Sequence, residues 1–153
     1  MSTMLEMAAI ELARGIRAGE ISPVDVLDEH IARIEDVNPQ LNALVTNRFE
    51  QARQEALRAQ EKIARRKRKA DLPPLFGVPC TIKEFLAHTE LYQSGGLKSR
   101  EGYIPSRDAT VVERLKTAGA IIIGGTNVPE GGLWMETHNL IYGRTHNPWN
   151  LNY

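Results

Sequence analysis

One short segment, Ala120-Ile-Ile-Ile123, constrains the fold more than any other part of the chain. It contains four consecutive apolar residues, three of them β-branched, and a glycine bounds it on each side. A short apolar run of this kind is typical of a strand that is buried on both faces of a sheet. Because such a sheet needs helices on its faces, the segment predicts an α/β fold.

The residues before this strand predict the elements that connect it to a parallel neighbour. Asp108-Ala-Thr110 is predicted to cap a helix that ends at Gly119. Further upstream, the segment from Leu75 to Ile82 predicts another strand. The order strand, helix, strand is typical of a βαβ unit, which joins two parallel strands.

The first half of the chain predicts three helices and one short strand. The first helix ends at Gly19, and Ser22-Pro23 begins the second with an N-cap serine and a proline at the first helical position. Asn38-Pro39 is predicted to end that second helix. A strand is predicted from Leu41 to Thr46, and a third helix is predicted to begin at Phe49.

The composition changes at a basic run, Arg65–Lys69, and at the two prolines that follow it. We therefore predict one α/β domain over residues 1–153. Its N-terminal helices occupy residues 1–72, and part of a mixed sheet flanked by helices occupies residues 73–153. The basic run favours a solvated helix end over a nucleic-acid site. Nineteen basic residues balance nineteen acidic ones, so the net charge favours no anionic partner.

The sequence favours a cytoplasmic protein without a metal, because it shows neither a targeting signal nor the spacing of metal ligands. We find no signal peptide and no apolar run long enough to span a bilayer. The single cysteine, Cys80, excludes an internal disulfide framework, and it favours a buried structural thiol over a nucleophile. The histidines lack zinc-ligand spacing, so no metal site is predicted at His30, His88, His138 or His146.

Lys83 is the most unusual residue in its context. It follows a mostly apolar stretch and lies near the end of the strand predicted from Leu75. A lysine held in an apolar site loses its preference for the charged form, and a neutral amine can take a proton from a hydroxyl nucleophile. The alternative is a surface lysine whose stem packs on the strand while its ammonium group reaches water. As a base, Lys83 is expected to be largely buried near the carboxyl end of a strand.

Polar and glycine residues follow the strand at Ala120–Ile123, at the sheet edge where α/β proteins place ligands. Thr126 and Asn127 come soon after it, and a role at a substrate site and a role in a simple turn fit them equally well. Gly131 and Gly132 would let the backbone approach a substrate, although turns and packing account for most glycines.

Three motifs in the second half resemble those of the amidase signature family, in that family's order and spacing. Gly77-Val-Pro-Cys-Thr-Ile-Lys-Glu84 is similar to the family's lysine segment, and Asp108–Leu115 with Ala118–Glu130 is similar to its next block. Gly143–Asn150 looks like the segment that leads into its Gly/Ser-rich loop. Within the family, Lys83-Glu84 and Thr126–Glu130 look most like the fatty-acid amide hydrolase branch.

The resemblance implies an α/β hydrolase of amide, or ester, bonds that uses a Ser-Ser-Lys triad. In that family the lysine hydrogen-bonds a serine in a cis peptide, and this serine activates the serine nucleophile. Lys83 matches the catalytic lysine, and Thr126, Asn127, Gly131 and Gly132 are the candidates for substrate binding. The resemblance implies a small-molecule amide as substrate, no cofactor, no metal and no nucleic acid, and it leaves a homodimer open.

The family's two serines follow the motif that ends here at Asn150, and no serine of this chain matches either of them. Ser22, Ser94, Ser99 and Ser106 all lie upstream of that motif. We therefore expect the chain to be the N-terminal part of an amidase, an incomplete amidase signature fold that is inactive alone. The alternatives are the A subunit of an aminoacyl-tRNA amidotransferase and a non-catalytic remnant or partner-binding module.

Overall fold

The isoleucine run forms the middle strand of a three-stranded sheet in the computed structural model, which describes residues 3–65 and 72–152. The helices are α1 (Ala9–Ala18), α2 (Pro23–Leu41), α3 (Phe49–Arg65) and α4 (Thr110–Thr117). The strands of the sheet are β1 (Leu44–Asn47), β2 (Pro79–Lys83) and β3 (Ile121–Thr126). A separate hairpin pairs β4 (His138–Asn139) with β5 (Gly143–Arg144), and short 3-10 turns lie at Thr3–Glu6, Lys98–Arg100 and Glu130–Gly132.

The sheet is mixed, with the strand order β1-β3-β2. Strand β2 runs parallel to β3, from the pair Pro79 and Ile121 to the pair Lys83 and Thr126. Strand β1 runs antiparallel to β3 on its other side. The chain passes from β2 through α4 to β3, so the predicted βαβ unit and the mixed sheet are both confirmed.

Helices cover both faces of β3. Ile121 and Ile123 pack against buried residues of α2 and α3, whereas Ile122 packs against Val112 of α4. All three isoleucines are buried, with at most 3% of their surface exposed. Burial on alternating faces explains why Ile121–Ile123 has no polar position, since neither side of this segment meets water.

A further group of apolar side chains joins the N-terminal helices to the sheet. Leu12 and Ile16 of α1 and Val26 of α2 pack against Phe76 and Val78, which lie just before β2. The two predicted regions therefore share apolar contacts, and their description as one domain stays a prediction. Most of the basic run, residues 66–69, lies outside the described residues.

The end of α1 and the start of α2 follow the predicted signals, whereas the end of α2 does not. Gly19 ends α1 in the left-handed conformation, with φ of 80°, and the Ser22 hydroxyl accepts a hydrogen bond from the Asp25 amide at the start of α2. The prediction that Asn38-Pro39 ends α2 is wrong, because the helix continues to Leu41. The Asn38 carboxamide oxygen accepts hydrogen bonds from the Ala43 and Leu44 amides at 2.9 and 2.8 Å, and these satisfy backbone groups just beyond the helix.

Three other predicted boundaries need correction. Strand β1 begins at Leu44 and not at Leu41, because Leu41 is the last residue of α2. Strand β2 begins at Pro79 and not at Leu75, because residues 75–78 form turns in which the Val78 amide donates to the Leu75 carbonyl at 3.0 Å. Asp108 does not cap α4, whose N-cap residue is Ala109. The Asp108 carboxylate instead accepts from the Thr89 amide at 2.8 Å and pairs with the Lys116 ammonium at 2.6 Å. Within the described residues, no helix combines the length and the apolar character that crossing a membrane requires.

Candidate active site

Lys83 is the last residue of β2, so its predicted position at the carboxyl end of a strand is confirmed. It pairs with Thr126, the last residue of β3, which places both side chains at the same edge of the sheet. The prediction that Lys83 is largely buried agrees with the structure in part, because the residue is neither fully buried nor exposed. Lys83 stands beyond the buried Ile82, where the strand ends and the chain turns through a hydrogen bond from the Leu86 amide to the Lys83 carbonyl at 2.8 Å.

The residues that follow β3 differ in how accessible they are. Thr126 is partly buried, and its hydroxyl donates to the Ile82 carbonyl at 3.3 Å. Asn127 is 2% exposed, and its carboxamide nitrogen donates to the Gly143 carbonyl at 3.1 Å and to the Thr145 hydroxyl at 3.0 Å. These contacts favour the turn interpretation of Asn127, since internal partners occupy its amide group. The substrate role of Asn127 stays a prediction.

Glu84, directly after Lys83, is the most deeply buried carboxylate near this edge, with 1% of its surface exposed. One carboxylate oxygen accepts from the Ser94 amide and hydroxyl, both at 2.6 Å, and from the Tyr142 hydroxyl at 2.9 Å. The other oxygen accepts from the Gly95 amide at 2.8 Å. Burial deprives a carboxylate of its hydration, so its oxygens need hydrogen-bond donors from the protein. Here four donors supply them.

The backbone around Tyr142 is held from two sides. Its amide donates to the Asn139 carboxamide oxygen at 2.8 Å, and its carbonyl accepts from the Asn42 carboxamide nitrogen at 2.6 Å. Burial is the main cause that raises the pKa of the Tyr142 phenol to about 12, and the nearby Glu84 carboxylate also raises it. The phenol therefore stays protonated and donates to Glu84 throughout the neutral pH range.

Gly131 and Gly132 lie on the segment that faces the Ser94–Gly96 loop. Both have positive φ angles, 62° and 72°, in the left-handed region that favours glycine. The Gly131 amide donates to the Gly95 carbonyl at 2.8 Å. The structure thus places Thr126 beside Lys83 and connects Gly131 to the same neighbourhood through the loop that Glu84 binds.

The sequence interpretation missed Glu84, Ser94 and Tyr142 as parts of this site. A local signal existed for Glu84, because it directly follows the candidate base Lys83 in the sequence. No local signal marked Ser94 or Tyr142, which lie 10 and 58 residues from Glu84 along the chain.

The other residues that could act as nucleophiles or metal ligands are held in arrangements that favour a structural role. Burial raises the pKa of the Cys80 thiol to about 11, so little of it is thiolate at neutral pH. The Ser94 hydroxyl donates to Glu84 and not to Lys83. Across residues 3–65 and 72–152, no group of three or more His, Cys, Asp and Glu side chains is arranged to hold a metal ion.

A second polar network surrounds Arg48, which directly follows β1, and His88. The Arg48 guanidinium, 3% exposed, donates to the Ile122 carbonyl at 2.7 Å and pairs with Glu55 at 2.6 Å and with Glu90. His88 is fully buried, and its Nδ1 accepts from the Glu90 amide at 3.1 Å. Burial, followed by the charges of Lys116 and Arg48, lowers the pKa of His88 below its ordinary value.

The fold and this edge define a class of protein, in which an α/β core carries a lysine at the carboxyl end of one of two parallel strands. The family model described as Amidase matches residues 25–153. The chain therefore belongs to the amidase signature family, as the three motifs indicated.

Curated relatives and solved structures agree with this assignment. Fatty-acid amide hydrolase 2-B of Danio rerio is 45% identical over 152 residues, which are 97% of this chain and 29% of that protein. The A subunit of the glutamyl-tRNA(Gln) amidotransferase of Streptomyces coelicolor is 39% identical over 151 residues, or 99% of this chain and 30% of that protein. The higher identity to the fatty-acid amide hydrolase agrees with the branch that Lys83-Glu84 suggested.

Among solved structures, a fatty acid amide hydrolase superposes with a TM-score of 0.90 at 25% identity, covering 97% of this chain and 26% of that chain. A bacterial aryl acylamidase superposes with a TM-score of 0.86 at 27% identity, covering 96% of this chain and 30% of that chain. The chain spans about 30% of the length of the relatives it matches. The predicted fold, helices followed by part of a mixed sheet, is therefore that of an amidase over the region compared.

Proposed function

We propose that the complete gene product hydrolyses carbon–nitrogen bonds of small-molecule amides, with Lys83 as the base of a Ser-Ser-Lys triad. Membership of the amidase family supports hydrolysis of amides in general. The triad, the role of Lys83 and the substrate class are our proposals for this protein. A serine hydroxyl beside Lys83 would give its proton to the neutral amine. It would then take the proton of the nucleophilic serine, which becomes able to attack the amide.

One observation carries this proposal: Lys83 and Thr126 end two parallel strands side by side. Ligands of α/β proteins bind outside the carboxyl ends of such strands, so a base at this point can face a substrate. Partial burial also suits a base, because the side-chain amine keeps access to a hydroxyl that approaches from beyond the strand end. Thr126, Gly131 and Gly132 are proposed to line the substrate site next to it.

The test is hydrolysis by the complete gene product of a panel of primary amides, anilides and fatty-acyl amides. We expect release of ammonia or amine from at least one class, and loss of that release in Lys83→Ala. Folded wild-type protein that cleaves no member of the panel would contradict the proposed function. A fluorophosphonate probe, which labels activated serines, should label the complete gene product at one serine.

A second candidate is a glutaminase-like component of an amidotransferase, which the 39% identity to the Streptomyces coelicolor amidotransferase protein favours. The same panel separates the two functions when glutamine is included. If glutamine is the only substrate that releases ammonia, and if this release requires added partner proteins, the amidotransferase function is supported. Release from other amides without partners supports the independent hydrolase.

We also infer that the 153-residue chain does not hydrolyse amides by itself. Among the described residues the buried serine near Lys83 is Ser94, and its hydroxyl donates to the Glu84 carboxylate. A base without a hydroxyl partner has nothing to activate. The purified chain should therefore take up no fluorophosphonate, and labelling of one serine per molecule would overturn this inference.

A further inference from the structure

Glu84 connects three parts of the chain that are distant in sequence. Its carboxylate accepts hydrogen bonds from the amides of Ser94 and Gly95 and from the hydroxyl of Tyr142. Its own amide donates to the Thr126 carbonyl at 2.9 Å, which continues the pairing of β2 with β3 beyond Lys83. The carboxylate is therefore fixed at the end of the strand that carries the proposed base.

The loop held by Glu84 also contacts the glycine segment proposed to bind substrate. The Ser94 hydroxyl accepts a further hydrogen bond from the Gly96 amide at 3.0 Å, which closes the loop on itself. The Gly95 carbonyl then accepts from the Gly131 amide at 2.8 Å. A side chain at Gly96 would approach within 3.2 Å of the Pro129 carbonyl oxygen, so the two segments lie in direct contact.

We propose that Glu84 is a positioning residue, which holds the Ser94–Gly96 loop and thereby fixes the Pro129–Gly132 segment that is proposed to bind substrate. This inference rests on the proposed function for its substrate role. The hydrogen bonds of Glu84 with Ser94, Gly95 and Tyr142, called the Glu84 clamp below, can be tested separately. Glu84 touches no reacting atom in this role and acts through Gly95 and Gly131. Tyr142 is the second anchor, because its backbone is held by Asn42 and Asn139 while its hydroxyl reaches Glu84.

The charge of Glu84 is needed because all four of its partners are donors. Glu84→Gln places an amide group, itself a donor, against at least one of these N–H or O–H groups. An unsatisfied buried donor is costly, so the loop is expected to move away from the strand. Tyr142→Phe is milder, since it removes one donor and preserves the ring.

The clamp is tested by hydrogen exchange in the complete gene product, followed on peptides covering residues 93–97 and 129–136. In Tyr142→Phe we expect both peptides to exchange about five- to tenfold faster, as loss of one hydrogen bond to a charged group allows. Tyr103→Phe is the matched control, because the Tyr103 ring is 46% exposed and its replacement should leave both peptides unchanged. Unchanged exchange of residues 129–136 in Tyr142→Phe would overturn the clamp.

The positioning role is tested by kinetics on whichever amide the wild type cleaves. For Tyr142→Phe and Ser94→Ala we expect KM to rise about five- to tenfold with kcat within about threefold, because loosening a binding segment removes uniform binding. A merely structural role would lower the titrated fraction of active sites and leave KM unchanged, and that result would overturn the proposal. Glu84→Gln should raise KM further, and the two milder variants decide the question if it fails to fold.

Failure of the clamp and failure of the proposed function give different results. A wild type that cleaves no amide refutes the proposed function and with it the substrate role of Glu84. The exchange comparison then still decides whether Glu84 and Tyr142 order residues 129–132. If the wild type cleaves an amide, and Tyr142→Phe and Ser94→Ala leave both KM and the hydrogen-exchange rates unchanged, the positioning role is refuted and the proposed function stands.

Discussion

The close approach of β3 to β1 gives a sharp test of the sheet. An alanine Cβ at Gly124 would lie 2.3 Å from the Thr46 backbone oxygen, whereas one at Gly125 would lie 2.6 Å from the Thr46 hydroxyl oxygen. Both distances are inside the 3.0 Å that real Cβ atoms essentially never cross. We expect Gly125→Ala to destabilise the protein by about 1–3 kcal/mol, and Gly124→Ala by about 3 kcal/mol or more because backbone must move.

Thr46→Ala separates the clash with the Thr46 backbone oxygen from the clash with its hydroxyl. This replacement removes the hydroxyl that blocks Gly125, and that hydroxyl is buried without a hydrogen-bond partner within the described residues, so its loss is cheap. In denaturant unfolding, Gly125→Ala should recover about 1–3 kcal/mol in the Thr46→Ala background, whereas Gly124→Ala should recover less than about 0.5 kcal/mol. Equal recovery at the two glycines would refute the register of β1 against β3.

Three further predictions concern acid stability, thiol reactivity and the exposed surface. Because the folded pKa of His88 is lowered, the unfolded chain takes up that proton first as the pH falls below about 6.5, so acid favours unfolding. His88→Gln should therefore reduce the slope of stability against pH between pH 5 and 7, by up to about 1.4 kcal/mol per unit, and an unchanged slope contradicts this. Cys80 should react with iodoacetamide much more slowly at pH 7.5 in folded than in denatured protein, since its pKa is raised to about 11; equal rates would show an accessible thiolate. The 153-residue chain should bind ANS, because Leu133, Trp134 and Met135 are 86%, 69% and 93% exposed; a cooperative melt without ANS binding opposes this.

Local composition predicted the middle of the sheet because β3 is buried on both faces and its sequence alone records that burial. Ser22-Pro23 and Gly19 likewise mark helix ends through their own backbone preferences. The start of β2 could not be located in this way. Leu75 and Val78 are joined in a turn that packs Val78 into the apolar core, and an apolar turn and an apolar strand have the same composition.

The site was predictable only where one residue carried the signal. Lys83 stood out because a lysine in an apolar stretch is unusual, and its place near a strand end followed from the strand predicted over Leu75–Ile82. Its assignment as the base came from the resemblance to the amidase signature motif. The extent of its burial depends on what covers the strand end, which a linear pattern does not record. The Glu84 clamp depends on donors 10, 11 and 58 residues away, and such contacts form only through the tertiary fold.

Turnover of the complete gene product with and without the Lys83 amine decides whether this lysine is the catalytic base. The experiment compares Lys83→Ala with Lys98→Ala, a control at a side chain that is 61% exposed in an ion pair with Glu101. We expect Lys83→Ala to lower kcat by about 10²–10⁴-fold while the denaturant midpoint stays close to that of the wild type. Lys98→Ala should keep wild-type turnover. Wild-type kcat in folded Lys83→Ala would remove Lys83 from the mechanism and contradict the proposed triad.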